Sequence, residues 1–382
     1  MQVTRVLVVG AGIGGLGAAA ALARRGVGVD VAELRPHSGV LGVGINQPAN
    51  SLRALRALGV LEDILDVGFQ YDRTTFYDWQ GRLIVDCPSA LGGDVPANNA
   101  LSRSDLHRIL TGAAEQAGAK ITYGMTAQDL EDAGDRVHVT LSDGKIETYD
   151  LVIGFDGLRS PLRRRLFAAE HEPVFTGYSV WRVTMPRPAE VTNTMVFQGD
   201  GTKAGVIPLS RDSMYMFVVT AEPGNPYLPS DQMAGLLKER LAGYGGLIGD
   251  LRDAITASDG IVYSPLSEVL LPSPWFGGRA IVLGDAAHAC APHLTQGAGM
   301  ALEDAVVLAE ELAVPDRAVA ASLAAFMERR YARVKLVQDV SHQILVGEMA
   351  ITAAMLPQAV AHMRETLPGR LGQVEGFLNQ PC

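Results

Sequence analysis

The first third of the chain alternates short apolar runs with segments of helical periodicity. Residues 6–9 form an unbroken apolar run, as expected of a strand buried on both faces. The Ala- and Leu-rich segment 15–25 follows and predicts a helix that stops at Gly26. Residues 27–32 return to strand character and end at Glu33. This order predicts a βαβ unit with parallel strands.

The pattern changes in the middle of the chain. From about residue 173 to residue 263, alternating segments broken by Pro, Gly and Asp predict an antiparallel sheet. Buried-strand character returns at residues 281–283, and a strongly periodic helix follows over 299–312. The same periodicities predict helices at residues 51–65 and 102–117, a buried strand at 151–154 and helical tendency over 316–363. The chain therefore leaves an α/β unit, forms an inserted sheet and returns.

The first glycine motif, residues 10–15, stands directly after the first predicted strand. Gly10 permits a tight turn, Gly12 lets a pyrophosphate approach the backbone, and Gly15 lets the helix pack close to the strand. The helix N-terminus would offer free N–H groups to phosphates. Glu33 stands where a carboxylate accepts from a ribose hydroxyl. Both NAD and FAD are compatible with this motif.

The second glycine motif, residues 284–299, favours FAD. Gly284 and Asp285 end the strand at 281–283, and Asp285 is positioned to hold a hydroxyl of the ribityl chain. Residues 296–299, Gln-Gly-Ala-Gly, open a helix whose N-terminal amides would face the flavin ring. Reduced flavin carries negative charge, which a helix N-terminus stabilises. Two motifs at opposite ends of the chain predict one long ligand held at both ends.

Four motifs also carry a family resemblance: residues 10–15 with Glu33 and Arg35, Arg103 in segment 102–106, Asp156-Gly157 with Arg159 and Arg163, and the second glycine motif. On these the chain resembles, over essentially its whole length, the class A flavoprotein monooxygenases, the single-component aromatic hydroxylases of the para-hydroxybenzoate hydroxylase family. It is most similar to compact members such as urate, 6-hydroxynicotinate and 3-hydroxybenzoate hydroxylases. One departure is Phe155, where many members carry Ala. The residues that the resemblance and the motifs assign to FAD are Gly10, Gly12, Gly14, Gly15, Glu33, Leu34, Arg35, Gly44, Arg103, Ala127, Asp156, Gly157, Gly284, Asp285, Pro292, Gln296, Gly297, Ala298 and Gly299.

The resemblance implies a reaction. NADH or NADPH, bound transiently, would reduce FAD, and O2 would then give a flavin C4a-hydroperoxide that hydroxylates a small electron-rich aromatic or heteroaromatic ring. The chain has no second glycine fingerprint for NAD(P)H, in agreement with this transient use. The alternatives are an FAD-dependent reductase or dehydrogenase on the same scaffold and a non-catalytic nucleotide-binding module. A base near the substrate is expected, because deprotonating a phenol activates its ring.

Four residues are candidates for the substrate pocket. His293, directly after Pro292, is the candidate base or orienting group, and a histidine that is simply packed in the loop is the alternative. By resemblance, Tyr215 aligns with a substrate-contacting tyrosine and Lys203 with the substrate-binding arginine of urate hydroxylase. A core tyrosine and an exposed loop lysine are the competing interpretations. Asn46 would hydrogen-bond either the substrate or its own turn.

The predicted fold class is α/β: a discontinuous Rossmann-like FAD-binding domain, an inserted antiparallel β-sheet substrate domain and C-terminal helices. The helical tail would form a dimer face or cover the pocket. The predicted segments are 1–73, 98–172 and 264–340 for FAD binding, 74–97 and 173–263 for the substrate domain, and 341–382 for the tail.

Composition narrows the remaining classes. A net charge of −10 argues against nucleic acid as a partner. Cys87, Cys290 and Cys382 contain no CxxC pair, so a disulfide framework or metal site is not expected, and Cys290 fits a buried thiol better than a nucleophile. No signal peptide or membrane span is visible, and we expect a cytoplasmic protein, either a monomer or a homodimer.

Overall fold

The secondary structure is that of a mixed α/β protein. The computed structural model describes residues 3–39, 43–167 and 171–382. Its strands are β1 (Arg5–Val9), β2 (Gly28–Glu33), β3 (Gly44–Pro48), β4 (Phe69–Tyr71), β5 (Arg73–Asp78), β6 (Leu83–Pro88), β7 (Asn98–Ser102), β8 (Lys120–Tyr123), β9 (Ala127–Asp132), β10 (Val137–Leu141), β11 (Ile146–Tyr149), β12 (Leu151–Gly154), β13 (Val174–Pro186), β14 (Thr194–Gln198), β15 (Lys203–Pro208), β16 (Ser213–Ala221), β17 (Val262–Glu268), β18 (Phe276–Gly277) and β19 (Ala280–Val282). Its helices are α1 (Ile13–Ala23), α2 (Ala49–Ala57), α3 (Leu61–Val67), α4 (Arg103–Gln116), α5 (Pro161–Leu166), α6 (Met233–Arg240), α7 (Gly246–Ala254), α8 (Asp285–His288), α9 (Gly297–Leu312), α10 (Val319–Met349) and α11 (Leu356–Leu378).

A six-stranded sheet in the order β18-β19-β12-β1-β2-β8 carries both glycine motifs. Its neighbours pair in parallel, except for the antiparallel pair β18–β19. β1 and β12 are almost entirely buried, as their unbroken apolar sequences predict. The predicted βαβ unit is present as β1-α1-β2, and the predicted α/β fold class is confirmed.

A seven-stranded sheet in the order β17-β13-β16-β15-β14-β5-β6 forms the second layer. Its pairs are antiparallel except β14–β5, which is parallel. The sheet is therefore not purely antiparallel as expected. Its parallel pair joins β14 to β5, which comes from a much earlier part of the chain. α6 and α7 also lie within the segment that was expected to be all strand. They place Leu237, Ile248 and Leu251 against this sheet.

Two helical segments differ in length from the sequence expectation. The helix expected over residues 51–65 is two helices, α2 and α3, separated at Gly59, whose φ of 78° lies in the left-handed region. The C-terminal part consists of α10, 31 residues long, and α11, 23 residues long. The proposed domain boundary at residue 341 lies inside α10. Among the described residues, no helix is both long and apolar enough to span a membrane.

Candidate active site

The first glycine motif forms a tight junction between β1, α1 and the end of β12. Gly10 has φ of 104° and donates its N–H to the Ala32 carbonyl at 2.8 Å. A Cβ on Gly10 would lie 2.3 Å from the Phe155 carbonyl oxygen, and one on Gly15 would lie 1.9 Å from the Gly10 carbonyl oxygen. Contacts within the protein itself therefore require glycine at both positions.

Gly12 differs from these glycines because the space that a side chain would occupy there is empty. A Cβ built there meets no described atom within 4 Å. Gly12 is the N-cap of α1, and the first turn of this helix has no side-chain cap and no acidic residue. The first amides of α1 are thus free for an anion, and space is left for it. This geometry fits a pyrophosphate.

The Glu33 carboxylate lies beside that turn. One of its oxygens accepts the Ala11 N–H at 2.7 Å and the other accepts the Arg35 N–H at 2.9 Å. Each oxygen keeps a further lone pair, so the carboxylate can also accept from a ribose hydroxyl. Leu34, beside it, is 69% exposed.

The second glycine motif lies at the end of β19. Gly284 has φ of 58°, which turns the chain directly into α8. Asp285 opens α8 with an exposed side chain and makes no hydrogen bond or ion pair to any described residue. An unpaired carboxylate at the carboxyl end of a parallel strand fits a polyol hydroxyl.

The Phe155 ring connects the two glycine motifs. A Cβ on Gly14 would lie 2.5 Å from the Phe155 Cδ1 atom, and a Cβ on Gly284 would lie 3.1 Å from the same atom. Ala301 of α9 borders both glycines. The departure from the family pattern at residue 155 is therefore accommodated by three small residues beside the ring, Gly14, Gly284 and Ala301.

The Gln296 side chain, expected to contact FAD, instead binds another residue of the protein. It is 1% exposed and exchanges two hydrogen bonds with Asn50, at 2.9 and 3.2 Å. Its side chain therefore fixes the loop to α2, and only backbone groups remain for a ligand. Gly297 is open, with nothing within 4 Å of a built Cβ. α9 has no side-chain cap and no acid in its first turn, so its amides are free, as in α1.

A buried ion cluster, formed by His288, Glu303, Asp304, Arg330 and Arg333, holds α9 in place. Arg330 pairs with both acids, Arg333 with Glu303, and the His288 Nε2 atom lies 2.6 Å from Asp304. Burial opposes ionisation of both acids. Arg330 and Arg333 nevertheless keep the pKa of Glu303 below its usual range, and His288 and Arg330 do the same for Asp304. His288 thus has a structural partner.

The Asp156 carboxylate also faces the protein interior. It accepts from the Ser160 hydroxyl at 2.6 Å and from the Leu162 N–H at 3.0 Å, which places it over the start of α5. Burial raises its pKa. The next residue, Gly157, has a φ of 79°, which lies in the left-handed region that favours glycine. Both carboxylate oxygens of Asp156 thus already accept hydrogen bonds within the protein, so the side chain is not free for the proposed contact with FAD. The other residues assigned to FAD are Gly44 in β3, Arg103 at the start of α4, Ala127 at the start of β9, Pro292 in a short 3-10 turn, and Ala298 and Gly299 in α9.

A cavity of about 600 Å³ adjoins the loop between the two halves of the second glycine motif. Pro292 and Gln296 line it at that end. Its wall is one face of the seven-stranded sheet, because the lining residues alternate along each strand and are paired across strands. Register pairs that line it together are Val180 with Val219, Val219 with Lys203, Tyr215 with Ile207, and Phe217 with Arg182.

The structure brings all four predicted pocket residues, His293, Tyr215, Lys203 and Asn46, to this cavity. The His293 side chain is 1% exposed, yet neither ring nitrogen has a hydrogen-bond partner among the described residues. Burial and the nearby Lys203 ammonium lower the pKa of His293 well below its usual range. The ring is therefore neutral and is a weak base.

Lys203 is held by an acid that the sequence reasoning did not single out. Its ammonium lies 2.7 Å from the Glu348 carboxylate of α10, and the same carboxylate lies 3.7 Å from the His293 Nε2 atom. Lys203 is thus buried and paired rather than an exposed loop residue. Asn46 donates to Asn98 at 2.9 Å, while its buried Oδ1 atom has no partner among the described residues.

Arg182 of β13 is a further charged residue of the cavity. It makes no hydrogen bond or ion pair with a described residue, and burial lowers its pKa. A guanidinium nevertheless stays charged. Burial also raises the pKa of Tyr215, opposed by the nearby Arg182 and Arg103, so this phenol is neutral. Arg182 is the single charged residue in the sequence of β13.

Cys290 is half-buried, and not fully buried as expected. Burial raises the pKa of its thiol to about 12, which disfavours the thiolate that a nucleophile needs.

Residues 3–341 match the family described as the FAD binding domain. The chain belongs to this family. This chain is 31% identical over 343 residues to the 2-heptyl-3-hydroxy-4(1H)-quinolone synthase of Pseudomonas aeruginosa. The match covers 88% of this chain and 87% of the relative. The chain is 31% identical over 360 residues to the 6-hydroxynicotinate 3-monooxygenase of Bordetella bronchiseptica, covering 88% and 90%.

A variant of Klebsiella pneumoniae HpxO, solved with FAD, superposes with a TM-score of 0.87 at 25% identity, covering 99% of both chains. The predicted resemblance to class A flavin monooxygenases and the prediction of FAD as cofactor are confirmed. The open space at Gly12, the unpaired Asp285 carboxylate and the free α9 amides fit that cofactor.

Proposed function

We propose that this flavoprotein is a monooxygenase that uses NAD(P)H and O2 to hydroxylate a small electron-rich aromatic or heteroaromatic ring. The observation that carries the proposal is the cavity beside the second glycine motif, which contains polar groups without partners. Both ring nitrogens of His293 and the Oδ1 atom of Asn46 are buried without partners among the described residues. The half-buried Arg182 lines the same cavity. Buried polar groups are normally satisfied, so these groups indicate a ligand.

FAD would be held along its length by groups already described. The α1 amides and Gly12 would bind its pyrophosphate, Glu33 a ribose hydroxyl, and Asp285 the ribityl chain. The α9 amides would stabilise negative charge on the ring. Bound FAD supplies the redox chemistry with O2, and the protein contributes orientation, exclusion of water and control of protons.

The cavity groups suggest how the substrate is activated. A phenolic hydroxyl beside Arg182 would lose its proton more easily, because the guanidinium stabilises the phenolate. His293 is a weak base, so it would orient the hydroxyl as a hydrogen-bond partner instead of removing the proton itself. Tyr215, a neutral phenol at the same wall, would donate or accept one further hydrogen bond.

The relatives guide the choice of test compounds. The two named above carry the names of a hydroxylated pyridine acid and a hydroxylated quinolone, both nitrogen heterocycles. A panel of hydroxypyridines, hydroxyquinolines, phenolic acids and purines covers the proposed class. NADH and NADPH are both included.

The test measures NAD(P)H oxidation by the FAD-loaded protein with and without each ring compound, under 18O2. We expect at least one compound to accelerate oxidation and to acquire a single 18O atom. Oxidation that is accelerated without an oxygenated product, and without peroxide from an uncoupled reaction, would instead support a reductase. No response to any compound, although FAD stays bound, would overturn the proposal.

A matched pair of variants tests the proposed cofactor contact. Asp285→Asn keeps the shape and removes the charge, and Asp285→Ala removes both. We expect the Ala variant to retain the least FAD, measured as absorbance of the purified protein. Full retention in both variants would count against the proposed role of Asp285.

We further propose that the protein acts in the cytoplasm, where NAD(P)H is available, as a monomer or homodimer. Light scattering of the FAD-loaded protein distinguishes these two states. A larger assembly would contradict this proposal.

A further inference from the structure

The cavity is too extensive for a single aromatic ring. It runs from the Pro292 loop, along the face of the seven-stranded sheet, to the inner side of α11. Past the polar groups its lining is mainly apolar, with Phe76 and Val196 on the sheet side. The exposed residues His362 and Arg370 of α11 also line it. Met363, Leu367 and Leu371 of α11 line the opposite side, four residues apart along one stripe of the helix.

α11 is fixed at its ends and spans the cavity in its middle. Leu356 and Leu378, at its two ends, are 4% and 2% exposed. Met363, Leu367 and Leu371 between them remain only half-buried although they face inwards. The three side chains pack against the apolar cluster around Phe76 and Val196 but are not sealed by it, so open space remains between the helix and the sheet.

Polar contacts hold α11 in this position. Arg364 donates to the Ile84 carbonyl at 3.1 Å, Glu375 accepts from the Ser89 hydroxyl at 2.9 Å, and Asn379, just after the helix, donates to the Ala90 carbonyl at 2.6 Å. These contacts join α11 to β6 and to the loop that follows it. The helix is thus a fixed wall with an apolar channel beneath it.

We propose that this channel binds an unbranched alkyl chain carried by the aromatic ring that the polar end of the cavity holds. The inference rests on the proposed function for the position of the ring. From Met363 to Leu371 the helix axis advances about 12 Å, a length suited to an alkyl chain of medium length. Of the charged residues of α11 that line this part, Arg370 is exposed and Glu375 accepts a hydrogen bond from Ser89, so a hydrocarbon fits the Met363–Leu371 stripe better than a second polar group.

The test uses 5-alkylresorcinols with unbranched chains of increasing length. Their dissociation constants are measured by perturbation of the flavin absorbance of the FAD-loaded protein. Each methylene that enters the channel should tighten binding by up to about fourfold, until the channel is filled. Affinity that does not depend on chain length would overturn the inference.

Two substitutions on the same helix separate the channel from general effects on α11. Leu367→Trp should fill the channel and weaken binding of the long-chain compounds at least tenfold, while the methyl compound binds as before. Glu365→Trp, an exposed position two residues away, is the matched control and should change neither. Equal effects of the two substitutions would contradict the inference.

A third variant covers the case in which Leu367→Trp prevents folding. Leu367→Ala enlarges the channel and should weaken binding of long-chain compounds two- to fourfold while leaving the methyl compound unaffected. Product analysis under 18O2 distinguishes the two proposals. Chain-dependent binding without an oxygenated product would reject the proposed function alone, and hydroxylation of short and long compounds with equal affinity would reject the channel alone.

Discussion

The two faces of the seven-stranded sheet are made by the same strands but serve different purposes. On one face Trp181, Phe197 and Met216 are 0–1% exposed and pack against α6 and α7. On the other face their direct neighbours, Arg182 and Phe217 among them, line the cavity. Because side chains alternate along a strand, a change of one position moves a residue from the dry core to the ligand wall.

The comparison shows how the sheet separates stability from function. The core face consists mainly of sulfur, aromatic and aliphatic groups, with the Glu222–Arg240 ion pair beside Trp181, and its packing holds the inserted layer together. The cavity face includes Arg182 and Lys203, whose burial costs free energy that the core must offset. Substitutions on the two faces should therefore produce different kinds of defect.

The largest effect is expected on the core face. Phe197→Ala removes a buried ring that stacks on Tyr77 with centroids 4.9 Å apart, and should lower the free energy of unfolding by about 3–5 kcal/mol. Phe217→Ala, the same substitution on the cavity face, should cost clearly less because that ring is only half-buried. Urea unfolding of the FAD-loaded variants measures both. Equal losses would show that the two faces do not differ.

The next effect is functional. Arg182→Met should raise the dissociation constant of a phenolic ligand about 10- to 100-fold, because a charge-assisted hydrogen bond contributes about 1.5–3 kcal/mol. The melting temperature should not fall, since the substitution removes an unpaired buried charge. Ligand titration measures the first effect, and Arg182→Lys should recover part of the affinity. Unchanged affinity in Arg182→Met would place the substrate elsewhere in the cavity.

The Lys203–Glu348 pair joins the cavity face to α10. Lys203→Met and Glu348→Gln should each lower the free energy of unfolding by about 2 kcal/mol, because each leaves one charged partner buried without the other. The double variant should lose less than the sum of the two, which a double-mutant cycle measures. Strict additivity would mean that the two residues do not interact.

The smallest effect concerns pH. The pKa of His293 is lowered in the folded state by burial and by Lys203, with Glu348 as the other charged group facing it, so the unfolded chain binds more protons below about pH 6.5. Stability should therefore fall as the pH drops. Between pH 7.5 and 5.5 the wild type should lose about 1 kcal/mol more than His293→Asn. Denaturant titrations at both values measure this, and identical pH slopes would contradict it.

Local sequence patterns were sufficient for the FAD-binding part of the fold. The apolar runs of β1 and β12 predict buried strands without reference to distant residues. Gly10 and Gly15 mark the turn that follows β1, because contacts within the protein require glycine at both positions. The predicted site residues His293, Tyr215, Lys203 and Asn46 do meet in one cavity, although their roles stay predictions.

The sequence did not predict features that depend on distant pairing. The parallel pair β14–β5 joins segments more than a hundred residues apart, and α6 and α7 are too short to show clear helical periodicity. Glu348 was missed because a helix pattern does not reveal which face meets a cavity. Gln296 was assigned to FAD, but its partner Asn50 lies 246 positions away.

The Phe155 ring between the two glycine motifs limits which segments can be exchanged between this protein and its relatives. It fills the space that glycine leaves at positions 14 and 284. A transplanted loop with alanine at position 14 would collide with the ring, alanine at position 284 would crowd it, and alanine at 155 alone would leave a hole between the two motifs. These three positions have to be swapped together.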